Sequence, residues 1–166
     1  HLEKVQAAVE QARALGGRIV VGGRRAELPG ALAGGFFFEP TLIEGLKPDC
    51  ATNQEEIFGP VLSVIKIKSL EEGIKVLNDT IYGLSSSVFT KNINNAYTAM
   101  RDIKAGIVYI NAPTIGAEAH MPFGGVKQTG NGHREGGWTV YDFFSEWKTI
   151  YVDFSGKLQR AQIDNE

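Results

Sequence analysis

The sequence predicts an α/β fold, a mainly parallel sheet with flanking helices. Two observations carry this. Val61 to Ile67 is a nearly unbroken apolar run, the pattern of a strand covered on both faces. It opens a succession of strand, helix, strand, helix and strand that closes at Asn111, with segment lengths suited to right-handed crossovers.

The elements follow in order. Leu2, Val5, Val9, Ala12 and Leu15 recur at helical spacing, so residues 1–15 are an amphipathic helix that Gly16-Gly17 ends. Arg18 to Gly22 is a short strand, and a polar loop runs on through Pro29. Phe36 to Ile43 is extended, with Pro40 marking an edge or a break. Residues 45–55 are a polar connection. After the Val61–Ile67 strand, Ser69 is an N-cap with Glu71 and Glu72 in the first turn. Leu70, Ile74 and Leu77 form the buried stripe of that helix. Strand Ser86–Thr90 follows the Tyr82-Gly83-Leu84 turn. Asn92 caps a second helix with Ile93, Ala96, Tyr97, Met100 and Ile103 on one face, and Gly106–Asn111 is a further buried strand. Residues 112–137 lack periodicity, and six glycines fall within Gly124–Gly137. Trp138–Phe144 reads as a short aromatic helix or turn. Trp147–Phe154 alternates like a strand, and Ser155–Glu166 as an exposed polar tail.

Composition narrows the function. The 166 residues suit one domain with a proper core. A formal net charge of −2 gives no basic surplus for nucleic acid. The aromatic cluster Trp138, Tyr141, Phe143, Phe144 and Trp147 therefore reads as packing at a contact, not as a base-stacking platform. Nothing approaches the ~18 apolar residues of a membrane span. The single Cys50 cannot form an internal disulfide, so a cytoplasmic setting is expected. The start His1-Leu2-Glu3-Lys4 carries no initiator Met and runs straight into a helix, as the interior of a longer chain would.

Chemistry concentrates at Glu55-Glu56-Ile57-Phe58-Gly59-Pro60. A carboxylate at the mouth of a strand can accept hydrogen bonds from sugar hydroxyls. An aromatic two positions on can pack on a flat ring. A solvated acidic turn is the plainer reading of the same residues. Cys50 is a poor candidate nucleophile, because an activated thiolate needs a nearby base, cation or helix N-terminus, and its neighbour Asp49 carries a charge of the same sign. Gly124–Gly137, with Lys127, His133 and Arg134, could cradle an anion. It lacks P-loop spacing, and close packing beneath a site explains its glycines better. Glu118, His120 and His133 match no zinc pattern, so no metal is expected.

Taken in order, Glu55–Val61, Tyr82-Gly83-Leu84, Gly106–Asn111, Pro122-Phe123-Gly124-Gly125-Val126-Lys127-Gln128-Thr129-Gly130 and the Lys148–Phe154 strand resemble the C-terminal third of the NAD(P)-dependent aldehyde dehydrogenase superfamily. The resemblance covers essentially the whole chain. It implies oxidation of an aldehyde to a carboxylic acid with NAD or NADP, through a cysteine thiohemiacetal. Residues 1–144 would be part of the catalytic domain, 145–154 an oligomerisation strand and 155–166 the tail. Glu56 matches the carboxylate that binds the nicotinamide ribose, and Phe58 the aromatic beside the nicotinamide. Phe123 matches a wall of the aldehyde pocket. Thr114, Ala117, Glu118 and His120 fall in the variable substrate-entry loop. Lys148–Phe154 matches the strand that pairs with a neighbouring subunit in homo-oligomers.

The family's nucleophile, general base and oxyanion-hole Asn lie upstream of this segment. The resemblance therefore assigns no catalytic residue here, and the isolated chain is expected to be inactive. Gly132-His133-Arg134-Glu135 is one residue longer than the usual family run, so Glu135 receives no catalytic role. A non-catalytic assembly module and an anion-binding domain of the same fold remain alternatives. The residues do not separate NAD from NADP, or hydrolytic from CoA-acylating and acyl-phosphate chemistry.

Overall fold

The computed structural model describes residues 1–157. Among these residues, five strands and five α-helices are arranged as an α/β fold: α1 (Leu2–Ala14), β1 (Arg18–Val21), β2 (Thr41–Glu44), α2 (Ala51–Gln54), β3 (Val61–Val64), α3 (Leu70–Asn78), β4 (Ser85–Val88), α4 (Ile93–Asp102), β5 (Ile107–Ile110) and α5 (Val140–Phe144).

Local sequence explains most of these elements. Gly16, at φ 87°, ends α1 in a conformation that glycine adopts without strain, and the Gly17 amide donates back to the Ala12 carbonyl at 2.8 Å. Strand β2 starts directly after Pro40, which cannot donate to a ladder. The Ser69 hydroxyl accepts from the Glu72 amide at 3.2 Å, and the Glu72 carboxylate accepts from the Lys68 amide at 2.6 Å. This reciprocal pair starts α3 much as a capping box does. Asn92 Oδ1 accepts from the Asn94 and Asn95 amides at 2.9 and 3.4 Å and starts α4.

Two of the three strand pairings are parallel, as expected, but the strands divide between two sheets. Strand β3 pairs in parallel with β2, in register Thr41↔Val61 to Glu44↔Val64, and β1 pairs antiparallel on the far side of β2. Strands β4 and β5 form a separate parallel pair. Strand–helix alternation specifies crossovers, whereas strand neighbours are set by non-local pairing. Nor is β3 covered on both faces. Its burial alternates, Val61 packs on the Ala12, Ile43 and Leu46 cluster, and Leu62 is 63% exposed. Helix α1 packs on that sheet through Ala12, with Val5 and Val9 buried along the same stripe.

A second cluster joins Ile74 of α3 to Ala99 and Ile103 at the end of α4, with Val88, Val108 and Ile110 packed against it. Here the expected α4 face is corrected. Ala96, Ala99 and Ile103 point inward, while Ile93, Tyr97 and Met100 are exposed. Small alanines allow α4 to lie close to its neighbours, so the buried stripe is rotated away from the larger residues. Within the expected polar connection, residues 51–54 form α2, a short turn the sequence reading missed.

Residues 147–154 form no strand among the described residues. They carry no regular secondary structure, and Trp147, Tyr151 and Phe154 are almost fully exposed. Alternation alone does not make a strand without a ladder partner. Residues 155–157 of the expected tail are exposed, and 158–166 lie outside the described residues.

Arg18 and Glu44 are direct cross-strand partners at the sheet edge. Arg18 Nε donates to Glu44 Oε1 at 3.0 Å, and Nη2 donates to the same oxygen. That hydrogen bond holds the Glu44 carboxyl below its ordinary value near 4.5. A carboxyl depressed by folding adds stability above its unfolded pKa and loses it as pH falls through the folded one. The stability gap between wild type and Glu44→Gln is therefore expected to be small, largest at neutral pH, and to close on acidification. Thermal melts between about pH 7 and about pH 3 check this, and a pH-independent gap contradicts it.

Candidate functional site

The acidic turn is built between two anchored ends. Helix α2 stops at Gln54, and Glu55 is extended, with φ −105° and ψ 144°. At the other end, the Pro60 carbonyl accepts from the Thr41 amide at 2.8 Å, which ties the turn to β2 just before β3 begins. Between them Phe58 takes a left-handed backbone, φ 52°. Bulky residues rarely adopt this region. The ring is 79% exposed instead of packed in the core. Exposing a large ring on a strained turn is unfavourable for folding alone, and such features cluster at ligand clamps.

The turn faces the first turns of α1. His1 Nε2 donates to the Phe58 carbonyl at 2.7 Å, and the two rings meet edge to face at 6.1 Å. A cavity of about 530 Å³ lies between α1 and the turn, bordered by His1, Lys4, Gln11, Thr52, Glu56 and Phe58. Glu56 is exposed on its wall. A carboxylate, a cation, a side-chain amide and an open aromatic ring thus share one hollow. Such a set can accept and donate hydrogen bonds and offer a flat apolar face. Sequence reasoning missed His1, Lys4 and Gln11. The available signal was their i, i+3 and i+10 spacing on α1 with small Ala7 and Ala8 between them, next to the buried Val5–Val9–Ala12 stripe.

Phe123 belongs to a second hollow. It pairs antiparallel with Glu135, with N–H to O distances of 2.5 and 2.7 Å in the two directions. The cavity, about 560 Å³, is bordered by Phe123, Gly125, Thr129, His133, Glu135 and Phe143. His133 meets Phe143 edge to face at 5.4 Å. The glycine loop is packed onto the Ile81–Leu84 turn. The Val126 amide donates to the Gly83 carbonyl at 2.9 Å, the Gln128 amide to the Ile81 carbonyl at 3.0 Å, and the Gly83 amide to Thr129 Oγ1 at 2.7 Å. Lys127 Nζ donates to the carbonyls of Asn78 and Thr80 at 2.8 and 3.0 Å. Amides and a cation that an anion cradle would present are engaged internally, which favours the packing reading of these glycines.

The substrate-loop residues stand apart from both hollows. Thr114, Ala117, Glu118 and His120 are exposed on the loop leading to Phe123 and border neither cavity. Backbone bonds hold the end of that loop, from the Met121 amide to the Glu118 carbonyl at 2.9 Å and from the Gly137 amide to the Ala119 carbonyl at 3.0 Å. The structure thus brings Glu56 and Phe58 together and sets Phe123 elsewhere, opposite Glu135. Cys50 is half-buried at the start of α2, against Ile43 and Leu46. Among the described residues no cluster of three His, Cys, Asp or Glu side chains is placed to hold a metal ion, and no helix is long and apolar enough to cross a membrane.

Comparison with known proteins bears on these surfaces. The chain is 38% identical over 144 residues to an alpha-ketoglutaric semialdehyde dehydrogenase of Bacillus subtilis, covering 87% of this chain and 29% of that protein. It is 41% identical over 155 residues to an aminoacetaldehyde dehydrogenase of Pseudomonas aeruginosa, covering 93% of this chain and 30% of that protein. Among solved structures it resembles betaine aldehyde dehydrogenase from Staphylococcus aureus in complex with NAD+, with a TM-score of 0.81 and 38% identity over 87% of this chain and 28% of that one. It also resembles an NAD-dependent aldehyde dehydrogenase from Sinorhizobium meliloti, with a TM-score of 0.87 and 34% identity over 96% of this chain and 30% of that one. The chain spans about 30% of the length of the curated relatives it matches. The aldehyde dehydrogenase family matches residues 1–150, and the chain belongs to that family.

Proposed function

We propose that this chain is the C-terminal third of an NAD(P)-dependent aldehyde dehydrogenase, and that it supplies walls of the cofactor and aldehyde sites while the nucleophilic cysteine lies outside it. The observation that carries the reading is the hollow between α1 and the acidic turn, where Glu56 and the open Phe58 ring meet Lys4 and Gln11. NAD or NADP, when bound, accepts the hydride. The residues here bind and orient. Glu56 accepts hydrogen bonds from the ribose hydroxyls, Lys4 and Gln11 donate to the same region, and Phe58 packs beside the flat ring. Lys4 also offsets the charge of Glu56 and keeps an anionic cofactor from being repelled.

The aldehyde enters by the Thr114–His120 loop and rests against Phe123. The exposed Thr114, Glu118 and His120 favour a polar aldehyde over a long alkyl one, in keeping with the semialdehyde and aminoacetaldehyde named for two relatives. Residues 148–154 pair with a neighbouring subunit. Support comes from their alternation and from the exposed Ile150, Val152 and Phe154, apolar side chains that a partner would cover. The lone, half-buried Cys50 suits the cytoplasm.

Three outcomes are expected in the full-length enzyme. Glu56→Gln weakens NAD(P) binding by up to about 1.5–3 kcal/mol without lowering the melting temperature. Fluorescence titration of cofactor measures this, and an unchanged Kd removes Glu56 from the site. The specificity constant for a semialdehyde acid or aminoacetaldehyde exceeds that for hexanal by about tenfold or more. Steady-state kinetics decide, and a preference for hexanal refutes the polar-substrate assignment. Val152→Pro, which removes one ladder amide, lowers the assembly state in light scattering. An oligomer that survives Val152→Pro and Ile150→Lys together rules out this strand as the contact.

A further inference from the structure

We infer that Lys127 is a positioning residue for the aldehyde pocket: its ammonium anchors the glycine loop to the end of α3 and thereby sets where Phe123 stands. The inference rests on the proposed reading of Phe123 as a wall of that pocket.

Lys127 has φ 55°, in the left-handed region that favours glycine. The loop has glycines at 124, 125, 130 and 132, yet this left-handed position holds a lysine. The side chain provides what glycine cannot. Its half-buried stem delivers Nζ to the Asn78 and Thr80 carbonyls at 2.8 and 3.0 Å. Asn78 is the last residue of α3, where backbone carbonyls lack helical partners and the helix dipole is negative. A cation there is favoured on both counts.

The anchor point is itself rigid. Asn78 Nδ2 donates to the Asp102 carbonyl at 2.8 Å, and its Oδ1 accepts from the Lys104 amide at 2.7 Å. One side chain thus ties the ends of α3 and α4 together, and Lys127 joins the loop to that tie. The residues on either side of Lys127 grip the same connection through Ile81 and Gly83. Only Gly124, Gly125 and Val126 separate Lys127 from Phe123. Gly124 and Gly125 pack closely against His133 and Thr129, so the short link is held, and the place of Phe123 depends on Lys127 at one end and the Glu135 bridge at the other.

The test uses the full-length enzyme with three variants. Lys127→Met keeps the stem and removes the ammonium, Lys127→Gly relaxes the backbone and removes it, and Lys127→Arg keeps a cation. The Met and Gly variants are expected to raise the aldehyde KM about tenfold, with Arg restoring part of the loss. The NAD Kd, set at the Glu56 hollow, which shares no lining residue with that of Phe123, is expected to stay within about twofold in all three. Amide exchange over residues 123–130 is expected to quicken in the Met and Gly variants. The inference is overturned if Lys127→Gly keeps wild-type KM and exchange, or if KM and the NAD Kd rise together as in general damage. A wild-type enzyme that fails to bind NAD or oxidise aldehydes defeats the proposed function instead. The exchange comparison still decides whether Lys127 anchors the loop.

Discussion

The carbonyl of Gly83 holds the C-terminal half of this molecule together. It accepts from the Gly106 amide at 3.0 Å and from the Val126 amide at 2.9 Å, joining the entry to β5, the turn before β4 and the glycine loop at one atom. The contact requires backbones to approach without side chains between them. A Cβ on Gly106 would lie 1.8 Å from the Gly124 carbonyl oxygen, and one on Gly83 would lie 2.7 Å from Val126 Cγ2. Any larger residue at Gly106 pushes the loop off the sheet end, and the Phe123–Glu135 pairing moves with it. The glycines here therefore act through close packing more than through flexibility.

The other half depends on a different constraint. The acidic turn is strained at Phe58 yet pinned at both ends, by α2 before it and by the bond from Thr41 to Pro60 after it. Pinned ends over-determine the turn and keep a large ring in the open. Helix α1 contributes in two ways. Its buried stripe of Val5, Val9 and Ala12 reaches the sheet core at Ala12, and the same helix presents Lys4 and Gln11 to the hollow. Core packing thus aims the polar residues, since the stripe that buries α1 also sets its rotation.

The two hollows belong to different sheets. Glu56 and Phe58 precede β3 of the three-stranded sheet, while Phe123 follows the β4–β5 pair. A ligand site shared between them needs the relative placement of the sheets to be maintained. Ion pairs contribute little to that placement, because Arg18–Glu44, Arg24–Glu39 and Arg101–Asp102 are all exposed pairs of local reach. Gln54 Nε2, which donates to the Asp79 carbonyl at 2.8 Å, crosses from the α2 side of the first sheet to the end of α3.

The sequence by itself determined what is local. The caps at Ser69 and Asn92, the end of α1 at Gly16, the strand start after Pro40 and the α/β class all follow from short-range sterics and hydrogen bonding. The family motifs, from Glu56 and Phe58 to Phe123 and its glycine loop, were also legible, because their residue types and order are distinctive. Tertiary structure alone decided which strands are neighbours, since the pairing of β3 with β2 and not β4 is a contact between distant segments. It alone turned α4 so that alanines faced inward, and it alone brought Lys4 and Gln11 beside Glu56 across more than forty residues of chain. Periodicity reports that a segment has an apolar face. What that face meets, and which polar groups come to share a hollow, is settled only when the whole chain has packed.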